Sequence, residues 1–352
     1  MPVSRIDPLT DSRWTTFANA HPGASVFHST PWLQALHRTY GFRPLVLTTA
    51  APDCRLSNGV VLCEVDSWMT GRRLVSLPFS DHCQPLAERP SDLQEIFSTL
   101  LAQQHREGWK YIEIRPVQAV SLPSDSGPTP APRFHASSDF CLHQLDLTPD
   151  VDRLFHSFHK SCVQRKIRRA EREGLHYEEG RSPLLLDQFY RLLVLTRRRH
   201  GIPPQPLKWF ESLVACMGEK LKIRVVSRQN HPLAAIITLS HNRQMVYKYG
   251  ASDAGFNNLG GMPYLFWTAI REARQRQFRC FDLGRSGVGN QGLITFKDRW
   301  GAGRVGLHYF RSSLSTRRAS RGFSMRGAEY LFARLPNPLL IRAGTLLYRH
   351  MA

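Results

Sequence analysis

The chain has 352 residues, 42% of them hydrophobic, and a formal net charge of +19 from 47 Lys and Arg against 28 Asp and Glu. At roughly 100–200 residues per domain this is enough chain for two domains with real cores, and the cationic excess points to polyanions: RNA, phosphorylated substrates or an anionic membrane surface. Seven dispersed cysteines without a Cys-x-x-Cys pair argue against a disulfide framework and structural zinc.

The N-terminus, MPVSRIDPLTDSRW, has no apolar signal run. No segment approaches the roughly 20 apolar residues needed to cross a bilayer. The expected location is cytoplasmic. The first half reads as mixed α/β. A Ser/Thr cap and Pro31 open a helix within Phe27–Tyr40. Strand-like runs follow at Pro44–Thr49, Gly59–Val65 and Arg73–Pro78. A helix over Ser91–Glu107 and a strand at Lys110–Arg115 come next. Leu122–Ser138, rich in Pro, Ser and Gly, reads as a loop, and Phe140–Leu147 as a strand. In Leu77–Leu86 the Asp81-His82-Cys83 cluster has no partner ligands at metal spacing, so it reads as a structural turn.

The second half repeats this grammar. Helical signals run over Val151–Glu173, Pro183–His200 and Leu207–Met217. Strands are expected at Leu221–Ser227, Leu233–Ser240 and Gln244–Ala251. A helix at Met262–Gln277, a strand at Arg279–Leu283 and a last strand at Arg304–Arg311 complete it. The fold class is α+β (mixed α/β). The expected domains are 1–150, 151–311 and a basic helical tail over 312–352.

Several segments carry candidate chemistry. In His159–Gly174, HKSCVQRKIRRAEREG, the residues Val163, Ile167 and Ala170 form an apolar stripe. Ser161, Arg165, Arg168, Arg169 and Arg172 fall on the opposite face, as phosphate ligands or as a solvated basic face. In Met245–Asp253, alternation sends Tyr247, Tyr249 and Ala251 to one side and Lys248 to the other. The tyrosines line an acceptor pocket or pack in a core. Phe256–Met262, FNNLGGM, leads into a helix whose N-terminus is either an anion site or a plain cap. In Phe281–Ala302, a strand ends in Asp-Leu-Gly-Arg-Ser, a Gly-rich loop follows, and Lys297 stands between Phe296 and Trp300-Gly301. In the tail, Leu339, Ala343, Leu346 and Leu347 form an apolar stripe flanked by Arg342 and Arg349, suited to a membrane surface or to the protein core.

The Ser-x-x-x-Arg-x-x-Ile-Arg-x-Ala-x-x-x-Gly pattern from Ser161, the Asp-Leu-Gly-Arg strand, and the sequence Gly292-Leu293, Phe296-Lys297, Trp300-Gly301 together resemble the FemABX-like aminoacyltransferases, a branch of the GNAT superfamily. The resemblance covers about Phe27 to Arg311. It implies two tandem GNAT-like domains with a cleft between them, followed here by a basic amphipathic C-terminal helix, and it implies no metal and no bound cofactor. It implies that Lys297 stabilises a tetrahedral oxyanion, a task worth roughly 3–4 kcal/mol for one donor. It places the Tyr247–Tyr249 strand in the central cleft, and a typical member of the family opens its second half with the Ser161–Gly174 helix. Asp282, Gly284 and Gly301 are then structural supports, and Arg285 and Phe296 stand beside the substrate. The donor is an aminoacyl-tRNA or an acyl-CoA ester, and the acceptor is a phosphorylated or lipid-linked cell-envelope precursor. Asn257 and Met262 depart from the coenzyme A-binding pattern of acetyltransferases, and no general base is evident. The expected activity is amide formation on a peptidoglycan or exopolysaccharide precursor. Acyl-CoA-dependent N-acylation of a sugar and a non-catalytic RNA- or membrane-binding role stand as alternatives. The segment 338–351 is the candidate for peripheral contact with the inner membrane.

Overall fold

A computed structural model describes residues 2–123, 133–314 and 325–351, which fall into two units. The first runs to Phe140 and includes the strand residues from Gly306 and the chain end from Arg349; the second holds Cys141–Val305 and the helices before Tyr348.

The first unit contains β1 (Ser4–Ile6), α1 (Ser12–Ala20), α2 (Thr30–Tyr40), β2 (Arg43–Thr48), β3 (Asn58–Val65), β4 (Arg73–Val75), β5 (Leu86–Ala87), α3 (Pro90–Gln104) and β6 (Tyr111–Ile114). Asp11 caps α1 by accepting the Arg13 N–H. Pro31 sits in the first turn of α2, and Gly41 ends that helix at φ 71°. The strand order is β1-β2-β3-β4-β6, with a final returning strand beside β6 and β5 branching from β3. Leu93, Ile96, Phe97 and Leu100 of α3 cover Leu45, Leu47, Val60, Leu62, Ile112 and Ile114. Each such aliphatic side chain contributes about 1.5–3 kcal/mol by leaving water. The segment after β4 holds Leu77 and Phe79 at positive φ. Arg115 Nη1 donates to the carbonyls of Leu77 and Ser80, which fixes this turn.

β7 (His135–Asp146) leads to the second unit. There follow α4 (Val151–Ser157), one π-helical turn (Lys160–Gln164), α5 (Arg165–Arg172), β8 (His176–Gly180), α6 (Pro183–Arg199), α7 (Leu207–Met217), β9 (Leu221–Arg228), β10 (His231–His241), β11 (Gln244–Ser252), α8 (Gly261–Gln275), β12 (Cys280–Gly287) and α9 (Gln291–Asp298). β13 (Gly303–Ser313), the returning strand, pairs antiparallel with β6 from Phe310 to Ser313. α10 (Met325–Arg334) and α11 (Asn337–Leu347) close the chain.

Within the second unit the strand order is β7-β12-β11-β10-β9-β8. Two-residue turns with positive φ at Gln229-Asn230 and Asn242-Arg243 join β9 to β10 and β10 to β11. This is the geometry whose twist suits antiparallel hairpins. β11 and β12 are parallel, so α8 serves as their crossover. One core lies under α8, where Leu265, Phe266, Ala269 and Ile270 meet Val226, Ile236, Met245 and Phe281.

Three expectations need correction. The helix expected over Val151–Glu173 is broken: Phe158 and His159 are extended, and the chain restarts through the π turn. The break frees the His159 N–H to bond the Arg299 carbonyl at 2.9 Å. β12 runs on to Gly287, through what reads as loop, and β7 begins at His135. Tyr247 and Tyr249 do not share a face. The β10–β11 register shifts there, with Ile237 opposite Tyr249 and Thr238 opposite Tyr247, so Lys248 is an extra residue. A bulge of one residue reverses the side-chain alternation beyond it.

Candidate functional site

The candidate site grows from the end of β12. β11 and β12 pair over Gln244–Val246 and Cys280–Asp282. Just beyond, Gly284 takes φ 73°, a conformation glycine adopts without steric cost. The buried Asp282 carboxylate fixes this kink by accepting the Gly284 N–H at 2.6 Å. Asn290 then caps α9, its side chain accepting the Leu293 N–H.

Lys297 lies in the last turn of α9 and is only 2% exposed. Its ammonium donates to the carbonyls of Gly284 at 2.7 Å and Arg285 at 2.9 Å. Two carbonyl dipoles replace part of the lost hydration, which a buried cation requires. The contact also ties α9 to the kink of β12. The next residue, Asp298, accepts from Nε2 of His143 at 3.0 Å, and the imidazole is fully buried on β7. Burial pushes the His143 pKa down. The bond to Asp298 opposes this, while the Lys297 charge reinforces it, and the net direction is below the ordinary value.

A cavity of about 280 Å³ is lined by Phe296, Arg299 and Trp300, chain neighbours of Lys297 and Asp298. Phe296, Arg299 and Trp300 form one wall, the first turn of α8 (Gly261, Met262, Pro263) another, and Cys162, Val163 and Lys166 a third. Phe256 and Asn257 stand at the same cavity. Gly260 lets these walls meet: it caps α8 at φ 81°, and a Cβ there would lie 2.2 Å from the Lys166 carbonyl oxygen. Trp300 is fully buried, stacked on Phe266 at 5.1 Å and edge-on to Phe158 at 5.0 Å. Gly301 turns at φ 68° against the Ser157 hydroxyl. The first turn of α8 and the two cations Lys166 and Arg299 make this cavity attractive to an anion.

The residues singled out from sequence are distributed around this centre. Lys297 and Phe296 are neighbours on α9; Phe296 faces the cavity, and the Lys297 ammonium turns to β12. Arg285 is half-buried and offers its carbonyl to Lys297. Val163, Ile167 and Ala170 are buried as their spacing requires. The opposite face of that segment does not line the cavity. Ser161 and Arg165 are exposed, Arg168 covers the Phe155 ring at 5.4 Å, and Arg169 pairs with Glu173 at 3.5 Å. Cys162 and Lys166, which flank the apolar stripe, take the cavity positions instead. Tyr247 packs on Phe266 with ring centroids 4.5 Å apart, under α8. Tyr249 lies against α7, accepting the Trp209 indole N–H at 2.8 Å. Burial pushes the Tyr247 phenol up to about 12. Sequence reasoning missed His143, Asp298, Lys166 and Arg299. Asp298 follows the matched Phe-Lys pair directly; nothing in the strand around His143 marks it.

Among the described residues no group of three or more His, Cys, Asp or Glu is placed to hold a metal ion. No described helix is long and apolar enough to cross a membrane.

Residues 157–298 match the family described as "Acetyltransferase (GNAT) domain". A curated relative from Weissella viridescens, UDP-N-acetylmuramoylpentapeptide-lysine N(6)-alanyltransferase, is 31% identical over 144 residues. That match spans 40% of this chain and 42% of the relative, so less than half of its length is covered. A crystal structure of FemX superposes with TM-score 0.69 at 14% identity, over 89% of this chain and 98% of that one. A tandem GNAT protein from the clavulanic acid biosynthesis pathway, solved without acetyl-CoA, superposes with TM-score 0.53 at 8% identity, over 89% and 98%. At these identities the structural likeness establishes a shared fold.

Proposed function

Residues 157–298 form a GNAT domain within a FemABX-like chain, and from that premise we propose that the protein is an aminoacyltransferase acting on a cell-envelope precursor. An amine of the acceptor attacks the ester carbonyl of an aminoacyl-tRNA. A C–N bond forms, the carbonyl π electrons move to oxygen, and collapse of the tetrahedral intermediate expels the ribose hydroxyl. The proton lost by the amine leaves with that hydroxyl, so positioning carries much of the rate. Lys297 supplies the cation for the oxyanion, Arg285 and Phe296 border the reacting groups, and Tyr247 supports α8 from beneath through Phe266. Ser161 of the π turn and Arg165, Arg168 and Arg169 of α5 then hold donor or acceptor phosphates.

The observation that carries this reading is the Lys297 ammonium, buried and held by the Gly284 and Arg285 carbonyls, on the segment whose Phe296, Arg299 and Trp300 line the anion-attracting cavity. A buried cation fixed between α9 and the kinked strand is pre-organised, so it loses little free energy to reorganisation when charge develops nearby.

A specific observation favours a second reading. The α8 N-terminus lines the cavity together with Lys166 and Arg299, an arrangement suited to the pyrophosphate of an acyl-CoA donor. In that case the leaving group is the coenzyme A thiol.

The test is transfer of a labelled acyl group from alanyl-tRNA, or from acetyl-CoA, to UDP-N-acetylmuramoyl-pentapeptide. The aminoacyl reading expects product from alanyl-tRNA, and a loss of about 10²–10³ in kcat for Lys297→Met in protein that circular dichroism shows to be folded. Transfer from acetyl-CoA alone moves the assignment to the second reading. Full activity in a well-folded Lys297→Met protein removes the lysine from the chemistry.

A further inference from the structure

α10 and α11 both rest on α6. The docked side of α11 is well defined: Leu340 has no exposure, and a Cβ at Gly344 would lie 2.0 Å from the Pro204 carbonyl oxygen. α10 approaches as closely, since a Cβ at Gly201 would meet the Glu329 carbonyl at 2.3 Å. The stripe that reads as apolar in the sequence, Leu339, Ala343, Leu346 and Leu347, is therefore not the docked one. Leu339 and Leu346 remain 47% and 70% exposed, and Ala343 and Leu347 are half-buried. On α10, Tyr330 and Leu331 are 63% and 58% exposed.

We propose that Tyr330, Leu331, Leu339 and Leu346 form a docking surface for an anionic lipid bilayer. The proposal rests on the exposure of these apolar side chains on the two helices and on the charge set among them. Arg342 is exposed on the same helical face as Leu339 and Leu346, three residues after the one and four before the other. The Arg334 guanidinium lies 3.3 Å from the centre of the Tyr330 ring. Between 325 and 348 the only acidic residue is Glu329. Apolar side chains with an aromatic ring and flanking arginines match the boundary between acyl chains and anionic headgroups. Neither helix is long enough to span, so the contact is peripheral. It does not depend on which acyl group the site transfers.

The full chain is mixed with vesicles of phosphatidylcholine alone and of phosphatidylcholine with one quarter phosphatidylglycerol, at about 0.1 M salt, and bound protein is separated by flotation. The expected result is flotation with the anionic vesicles and at least tenfold weaker binding to the neutral ones. Leu339→Glu/Leu346→Glu lowers anionic-vesicle binding at least tenfold with an unchanged melting temperature. Arg342→Glu lowers it several-fold, and raised salt weakens the wild type. Wild-type protein that stays unbound overturns the proposal. So does a double variant that floats like wild type, which would assign binding to the basic surface elsewhere. Self-association at this face, seen as a dimer by sedimentation that the double variant loses, together with absent flotation, would assign the surface to a second copy of the chain.

Discussion

Nε2 of His143 lies 3.0 Å from the carboxylate of Asp298, the residue that follows Lys297. The imidazole is fully buried, and its Nδ1 has no hydrogen-bond partner among the described residues. The charged groups acting on it are Asp298, Lys297 and Arg304. Burial is the largest influence and lowers its pKa, Asp298 raises it, and the two cations lower it further. The folded pKa is thus below the unfolded one, near 6.5, and the unfolded chain binds more protons in that range. The stabilisation is complete above about pH 6.5 and is lost as pH falls below it. Thermal melts between pH 8 and pH 5 should show this loss in the wild type and a flatter profile in His143→Gln, which keeps an N–H for Asp298. His143→Ala should cost about 2–4 kcal/mol through its void and the lost bond. A wild-type profile no steeper than that of His143→Gln would remove the histidine from the acid sensitivity.

Gly260 makes a sharper steric prediction. Its φ of 81° is strained for any residue with a side chain, and a Cβ would press on the Lys166 carbonyl oxygen at 2.2 Å. Backbone cannot yield as a flexible side-chain end does, so Gly260→Ala should destabilise by about 2–4 kcal/mol. Gly287→Ala is the control: no atom lies within 4 Å of its added Cβ, and its cost should stay within about 0.5 kcal/mol. Urea denaturation of the two variants measures the difference, and equal midpoints would contradict the close approach of α5 to α8.

Local patterning made much of this fold readable. The paired turn residues Gln229-Asn230 and Asn242-Arg243 separate runs of β-branched and aromatic residues, so the β9–β10–β11 series was visible from residue types alone. The stripe Val163, Ile167, Ala170 gave the buried side of α5 because helical spacing is local. What stayed hidden depends on distant partners. The break at Phe158–His159 exists because the His159 N–H bonds the Arg299 carbonyl, 140 positions along the chain. His143 and Asp298 are 155 apart in sequence. The bulge at Lys248 is set by register against β10, and strict alternation carries no information about it.

That bulge separates the roles of the two tyrosines. Tyr249 accepts the Trp209 indole N–H at 2.8 Å and meets Phe210 edge-on at 5.1 Å. Tyr249→Phe keeps the ring packing and removes the acceptor oxygen, which should cost about 1–2 kcal/mol. Because Tyr249 faces α7, the variant should leave kcat of acyl transfer unchanged. Tyr247→Ala opens a void against Phe266 and should lower both stability and transfer, the former by about 3–5 kcal/mol. Chemical denaturation beside a transfer assay checks both, and a Tyr249→Phe variant impaired in kcat at full stability would place that hydroxyl in the reaction.

An ion cluster around the buried Arg224 adds to the apolar attachment of α8 to the sheet. Arg224 of β9, with no exposure, donates to Glu272 of α8 at 2.5 Å, to Glu179 at 2.5 Å and to Thr238. Lys222 bridges Glu179 and Glu272 at 2.5 and 2.9 Å. Burial pushes the Glu272 carboxyl up, but the Arg224 and Lys222 charges outweigh it and hold its pKa at about 2. A depressed carboxylate pKa contributes stability above the unfolded value, near 4.3, and loses it as pH falls toward the folded one. Glu272→Gln leaves Arg224 partly uncompensated, so it should destabilise at pH 7 by about 3 kcal/mol. It should also flatten the acid limb between about pH 5 and pH 2. Glu272→Leu/Arg224→Met removes both charges and should recover most of that loss. Urea midpoints at pH 7 together with an acid titration followed by circular dichroism test the cluster. A Glu272→Gln protein as stable as wild type at pH 7 would show that α8 is held by its apolar face alone.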